Sequence, residues 1–98
     1  MNGQNDVREF TAQMSVSAGH WRLYVALMNT TERWPDYWFT RTVPTFTDRT
    51  DALSVLGFEP VPGAEWTWTE DSEIPDDPAS PVILIAAIRV RSWSGVGV

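Results

Sequence analysis

The chain has 98 residues, a length that suits one small domain able to bury a core and fold unaided. Thirteen acidic residues against seven arginines give a formal net charge of −6, which argues against a protein that binds nucleic acid by neutralising phosphates. The chain contains no cysteine, which excludes disulfides and thiolate metal sites.

The start of the chain carries no basic segment followed by an apolar one, so no signal peptide is expected. The longest apolar run, Val82 to Ile88, is too short to span a membrane. The sequence therefore predicts a cytoplasmic, soluble protein that forms a single domain over 1–98. Residues 1–7 are expected to be a frayed start, and 94–98 a tail of small residues.

The first third of the chain predicts a hairpin of two strands. Apolar and polar residues alternate from Arg8 to Val16 and again from His20 to Met28, the pattern of half-buried strands. The short segment 17–19 ends in Gly19, which suits a tight turn.

The middle third predicts a loop, a short strand and a helix. Pro35 marks the loop 29–36, and the aromatic, β-branched run Tyr37 to Val43 favours a third strand. Thr45 followed by Asp48 has the spacing of a capping box. The helix then ends at Gly57, a residue suited to a left-handed C-cap. The apolar positions predict a core-facing stripe, with the polar positions in water; the stripe is Phe46, Ala52, Leu53 and Leu56, and the polar set is Arg49, Asp51 and Ser54.

The last third predicts two strands joined by an acidic loop. Two prolines keep 59–63 out of a central strand, whereas Ala64 to Thr69 alternates. Glu70 to Pro81 is acidic and proline-rich. Val82 to Trp93 begins apolar on both faces, which indicates a central strand.

These elements predict an α+β fold: an antiparallel sheet of four or five strands in the order ββ(β)αββ, with a single helix on one face. A small barrel is the alternative. The expected core consists of the apolar residues on one side of each element: Phe10, Ala12, Met14, Trp21, Leu23, Val25, Leu27, Phe46, Leu53, Leu56, Phe58, Leu84, Ala86 and Ile88.

The sequence contains no clear pattern of catalytic, cofactor-binding or metal-binding residues. His20 is the one histidine, and it stands beside a turn without the positioned partners that a general base needs. The acidic loop lacks the ligand spacing of a calcium loop, and no phosphate-binding or dinucleotide motif is present. We therefore expect no catalytic residue, no cofactor and no metal, and a protein that is not an enzyme.

The six tryptophans instead favour a binding role, because large amphipathic rings are common in protein contacts. Trp34 and Trp38 either form a contact surface or close the core beneath their loop. The face of the sheet away from the helix is expected to be apolar. A two-fold homodimer covers it, or else the loop 29–42 does. The predicted partner-binding residues are Tyr24, Met28, Trp34, Trp38, Ile83 and Ile85.

One family resemblance stands beside this interpretation. It rests on the runs 21–25, 44–46, 52–60, 65–71 and 79–82, and it extends from Glu9 to Arg91. With these segments the chain resembles a family of short, uncharacterised streptomycete (actinobacterial) proteins classed as a domain of unknown function. The resemblance implies no activity, substrate or site.

The leading functional hypothesis is a non-enzymatic, acidic protein-interaction module with an unknown protein partner, able to self-associate. One alternative is a small anionic mimic of nucleic acid that inhibits a DNA-handling protein. The charge has the right sign for mimicry, but the carboxylates cluster in one loop rather than along a face. The other alternative is a small enzyme, which the lack of a catalytic constellation disfavours.

Overall fold

The computed structural model describes residues 8–17, 19–28, 30–40 and 43–93, so the predicted frayed start (1–7) and tail (94–98) lie outside it. Six antiparallel strands in these ranges form one sheet, and one helix packs against it. The strands are β1 (Glu9–Ser17), β2 (His20–Ala26), β3 (Asp36–Trp38), β4 (Phe58–Pro60), β5 (Thr67–Ser72) and β6 (Val82–Ser92), and the helix is α1 (Phe46–Leu56). Among the described helical residues, no helix has the length and apolar character needed to cross a membrane.

The last strand organises the sheet. β6 pairs with β1 on one side; on the other side it pairs with β5 along its first half and with β4 along its last three residues. β2 and β3 continue the sheet beyond β1, and the sheet order is β3-β2-β1-β6-β4. The predicted hairpin and the central position of β6 are confirmed. Over the described strands the sheet is open, with β3 at one edge, so the barrel alternative is wrong.

The helix begins and ends where its capping residues predict. The Thr45 hydroxyl accepts a hydrogen bond from the Asp48 backbone N–H at 3.0 Å, and the Asp48 carboxylate accepts one from the Thr45 N–H at 2.9 Å. At the other end Gly57 has φ of 94°, a left-handed conformation that costs little without a Cβ. Local sequence therefore determines both ends of α1.

The core lies between α1 and one face of the sheet. Each of β1, β2 and β6 alternates, so every second residue points to the helix side. Most of the predicted core is confirmed as buried: Ala12, Met14, Leu23, Val25, Leu53, Phe58, Ala86 and Ile88. Phe10, Trp21, Leu27 and Leu56 pack against it half-buried. Phe39 and Val90 are buried too, although neither was in the predicted core.

Two predicted core residues, Phe46 and Leu84, are exposed instead. The helix contacts β3 and β4, at opposite edges of the sheet, so it crosses the strands; a helix is only about 10–12 Å wide, whereas the 11 residues of β6 extend over about 36 Å. The helix therefore leaves one end of β6 uncovered, and Leu84 lies at that end. Phe46 is the first residue of α1, and its ring lies over the side chain of Arg49 rather than in the core.

The side of the helix that faces the sheet agrees with the predicted stripe at Ala52, Leu53 and Leu56 and differs from it at Arg49 and Phe46. Its buried residues are Arg49, Ala52 and Leu53, so the prediction that Arg49 faces water is wrong. The spacing of these three residues still places them on one side of a helix. Arg49 was predicted to face water because it is charged, although its position in the helix is compatible with burial.

The strands differ from the prediction near the sheet edges. β4 was not predicted, because a three-residue strand ending at Pro60 is too short to show alternation. β5 begins later than predicted and includes Glu70 and Asp71, which the sequence placed in the acidic loop. Acidic side chains are common on an edge strand, where charge discourages pairing with other chains. β3 ends at Trp38, short of the predicted Val43.

Candidate interaction surface

The face of the sheet opposite α1, here called the open face, lacks a covering element among the described residues. Its side chains come from the alternate positions of each strand. One row across it joins Tyr24, Gln13 and Ala87, and the next joins Arg22, Ser15 and Ile85. The Tyr24 hydroxyl donates a hydrogen bond at 2.7 Å to Oε1 of Gln13, its register partner on β1, which restrains the position of the tyrosine ring.

Four side chains at the β2–β3 edge of the open face form a continuous layer, here called the aromatic–arginine stack (Trp34, Tyr24, Arg22 and Trp38). The rings of Tyr24 and Trp34 are stacked, with centroids 6.2 Å apart and an interplanar angle of 19°. The Arg22 guanidinium lies 5.0 Å from the centroid of Tyr24 and 5.7 Å from that of Trp38. Trp38 is 51% exposed, so the outer end of the stack faces solvent.

The stack is held in place by the loop before β3. Asp36 accepts a hydrogen bond from Arg22 Nε at 3.0 Å, and Arg33 Nη2 lies 3.8 Å from the same carboxylate oxygen. The carbonyl of Pro35 accepts a hydrogen bond from the Val25 N–H at 3.1 Å, which ties the loop to β2. Trp34 and Trp38 are therefore positioned by backbone and ion-pair contacts and not by their rings alone.

The structure brings together five of the six predicted partner-binding residues on one face. Tyr24, Trp34 and Trp38 lie in the stack, while Ile83 and Ile85 lie on the open face of β6, half-buried. Met28 lies apart from them, beyond the end of β2, beside Arg8 and Leu27 at a separate hollow. Whether any of these residues binds a partner stays a prediction.

Among the described residues the loop covers only part of the open face, so closure by the loop 29–42 is partial, and the homodimer stays a prediction. Trp34 does fold onto the open face, but it covers Tyr24 at the edge. Ile85 lies two strands away from β2, beyond β1, and remains partly exposed. Neither full closure by the loop nor a bare face describes the structure, because the loop covers the edge and leaves the centre open.

The charged residues of β1, β4 and β6 on the open face form two ion pairs. Arg91 Nε lies 2.6 Å from Glu59 Oε2, and Arg89 Nη1 lies 3.3 Å from Glu9 Oε1. Beside Arg89 a hollow of about 450 Å³ lies where β6 passes from its pairing with β5 to its pairing with β4, lined by Thr11, Thr67 and Ala87 among others. Such partly exposed ion pairs add little stability, but they give this end of the face a balanced, polar rim.

The other side of the sheet holds a second aromatic cluster, here called the Arg49 cage (Arg49, Phe46, Trp66 and Trp68). The guanidinium carbon lies 4.9 Å from the ring centroid of Phe46, 5.2 Å from that of Trp66 and 5.6 Å from that of Trp68. Arg49 is only 7% exposed, and its Nε and Nη1 form no hydrogen bond with any described residue. Burial lowers the pKa of Arg49 from its usual value, because desolvation disfavours the charged form.

The residues considered for catalysis or metal binding are not gathered into a site. His20 is exposed at the hairpin end of β2, and Asp71, Glu73 and Asp76 are exposed along β5 and the loop after it. Within the described residues, no three His, Cys, Asp or Glu side chains are grouped so that they could hold a metal ion. The expectations of no catalytic residue, no cofactor and no metal stay predictions.

Comparison with known proteins supplies a family but no activity. A family model described as "Family of unknown function (DUF6303)" matches residues 8–98, which is nearly the whole chain. The chain belongs to this family. The match confirms the resemblance to a family of unknown function, while the streptomycete source stays a prediction. No curated protein and no solved structure matches the chain.

The matched segment includes every residue that the structure describes. It covers both aromatic clusters, from β1 through the last described residue, Trp93. Because the family supplies no activity, a functional hypothesis for this chain rests on the residues exposed on the two sides of its sheet.

Proposed function

We propose that this protein is a non-enzymatic interaction module that docks through its open face, and that a second copy of the chain is its first partner. The observation that carries the proposal is the aromatic–arginine stack on an uncovered sheet face. Tryptophan, tyrosine and arginine are the residue types that contribute most to binding energy at protein interfaces. Here they are pre-ordered by one another, which lowers the entropy lost on docking.

The size of the open face is compatible with a small two-fold interface. Five adjacent strand positions at about 4.8 Å, with about seven residues each at about 3.3 Å, outline roughly 500 Å² of surface. Burial of this area on both partners gives roughly 1,000 Å², the lower limit for a specific protein interface. Two such sheets stacked face to face form a sandwich, a common packing of antiparallel sheets.

The charge distribution across the face suits a second copy. Arg22 and Arg33 share the single carboxylate of Asp36 at the β2–β3 edge, which leaves that edge with one net positive charge, while Asp71 lies on the same face of β5 at the opposite edge. A two-fold axis parallel to the strands places the β2–β3 edge of one protomer over the β5 edge of the other. Basic and acidic groups then face each other at both ends of the interface.

Mimicry of nucleic acid finds less support. A phosphate mimic needs unpaired carboxylates spaced along a face, as in the backbone that it imitates. On the open face Glu9, Asp36 and Glu59 each pair with an arginine. We therefore keep the protein contact as the proposed function.

The test measures molar mass by light scattering at high micromolar concentration. We expect a dimer for the unmodified chain and a folded monomer for Ile85→Asp, because a carboxylate at the centre of the face cannot be buried unpaired. Trp38→Ala should weaken the dimer by removing the exposed end of the stack. The matched control is Val55→Asp, on the outer side of α1, which should stay dimeric.

A monomer under all conditions contradicts self-association and leaves a different protein as the partner. That case is decided by a photo-crosslinking amino acid placed at Trp38 or, as a control, at Val55, in cells of the native host. A product formed from position 38 and absent from position 55 supports the open face. Equal products from both positions, or none, contradict it.

A further inference from the structure

We propose that the Arg49 cage is a binding site for a carboxylate carried on an apolar body, such as an aryl carboxylate. This inference is independent of the proposed function, because the cage lies on the helix side of the sheet and the dimer contact on the open face. Its basis is an enclosed cation that has no anion among the described residues and lies beside exposed aromatic surface.

The first step is the state of the cation. The Arg49 side chain is held by ring faces on more than one side, and Nε and Nη1 have no acceptor among the described residues. Aromatic rings compensate a desolvated cation only in part, and buried charges are normally paired with an anion or fully hydrogen-bonded. The Arg49 guanidinium thus carries N–H groups that can still donate hydrogen bonds to a ligand.

The second step is access. Phe46 is the outer wall of the cage: its ring lies 4.9 Å from the guanidinium carbon, yet the residue is 71% exposed. Phe46 is the first residue of α1 and is not among the residues that pack against the core, so rotation of its side chain toward solvent leaves the core packing in place. Such a rotation uncovers the guanidinium without moving the helix or the sheet.

The third step is the chemistry of the ligand. Guanidinium donors match the planar geometry of a carboxylate. Apolar surface adjoins the cage: Trp68 is exposed and lies edge-on to Trp21 at a centroid distance of 6.0 Å. In the next row on the same side of the sheet, exposed Leu84 lies opposite exposed Glu70, so this apolar surface has an acidic edge that a ligand carboxylate must point away from. A carboxylate with an apolar body can bind the guanidinium and also cover the aromatic surface beside it. A bare inorganic anion can bind only the guanidinium.

The experiment titrates the ¹⁵N-labelled full chain with benzoate and with benzamide, which has nearly the same shape and no charge. The resonances to follow are the Arg49 Nε–H and the indole N–H groups of Trp66 and Trp68. We expect saturable shifts with benzoate and none with benzamide. N-acetylphenylalanine and its amide form a second pair, which tests whether the site accepts the carboxylate end of a polypeptide.

Two variants separate binding from structure. Phe46→Ala should bind benzoate about tenfold more tightly, because the ring that competes for the guanidinium is gone. Val55→Ala, an equally exposed apolar residue of α1 at 72%, is the control and should bind like the unmodified chain. Arg49→Met should abolish binding while keeping a dispersed, folded spectrum.

The outcomes are decisive in both directions. Saturation by either carboxylate, lost in Arg49→Met and strengthened in Phe46→Ala, supports the site and identifies the form of carboxylate that it takes. Equal shifts with acid and amide show an apolar contact without use of the charge and overturn the proposal. It is also overturned if neither carboxylate binds the Phe46→Ala variant, in which the guanidinium is uncovered.

Discussion

Two arginines illustrate how environment assigns different roles to the same side chain. Both contact aromatic rings, Arg22 on the open face and Arg49 on the helix side. Arg22 also pairs with Asp36 at 3.0 Å and keeps contact with solvent, so its charge is compensated. Arg49 is enclosed without an ion pair to any described residue, and its charge opposes folding while its methylene groups fill space.

This balance predicts opposite results for two substitutions at position 49. Arg49→Met keeps the apolar volume and removes the desolvated charge, so the free energy of unfolding should stay equal or rise by about 1 kcal/mol. Arg49→Ala also removes the packing between α1 and the two tryptophans, and should lower the free energy of unfolding by roughly 2 kcal/mol. Urea denaturation followed by circular dichroism measures both. Equal losses in the two variants would mean that the cation–π contacts outweigh the desolvation.

At the scale of elements, two neighbouring residues of the central strand β6, Ala86 and Ala87, lie in different environments. Ala86 faces the helix and is fully buried between Met14 of β1 and Trp68 of β5, its partners in the two ladders. Ala87 faces the open side, between Gln13 and Thr67. A small residue at position 86 leaves room for two large neighbours, whereas position 87 has free space above it.

The same substitution at these two positions should therefore have very different effects. Ala86→Leu overpacks the core and should lower the free energy of unfolding by about 1–3 kcal/mol. Ala87→Leu, measured at low concentration, should change it by less than about 0.5 kcal/mol, as is usual for substitutions outside the core. For a domain of this size each kcal/mol corresponds to about 4–8 °C in Tm, so a thermal scan resolves the difference. Comparable losses at both positions would contradict the assignment of the two faces.

At the scale of the whole molecule, one helix cannot cover a sheet of this size. The uncovered regions are the open face and the end of the helix side beyond α1, and each contains exposed aromatic residues. A small domain has a narrow margin of stability, so apolar surface left in water is costly. Each uncovered region is therefore a natural place for a contact. We propose a protein surface as the partner of the open face and an apolar carboxylate as the ligand on the helix side.

Self-association through the open face has a thermodynamic consequence. A dimer that forms only from folded chains stabilises the fold by mass action, so the Tm should rise with chain concentration. In Ile85→Asp the Tm should be independent of concentration, because this variant stays monomeric. Differential scanning calorimetry over a hundredfold concentration range measures both; a flat Tm in the unmodified chain would contradict the dimer.

Features that depend on near neighbours in the chain could be predicted from the sequence. The ends of α1 follow from Thr45, Asp48 and Gly57, because capping and the left-handed turn involve residues a few positions apart. The β1–β2 hairpin follows from alternation on both sides of Gly19. The position of Ile83 and Ile85 opposite the helix also follows from alternation, since side chains in a strand change sides at every residue.

The tertiary structure alone decided what depends on distant residues. Burial of Arg49 needs Trp66 and Trp68 of a later segment to enclose it, and a charged residue in a helix otherwise predicts a solvent-exposed position. The exposure of Leu84 depends on where α1 crosses β6. The stacking of Trp34 on Tyr24 depends on how the loop before β3 returns to the sheet. Local pattern determines which way a side chain points; only packing determines whether another element covers it, because that element comes from elsewhere in the chain.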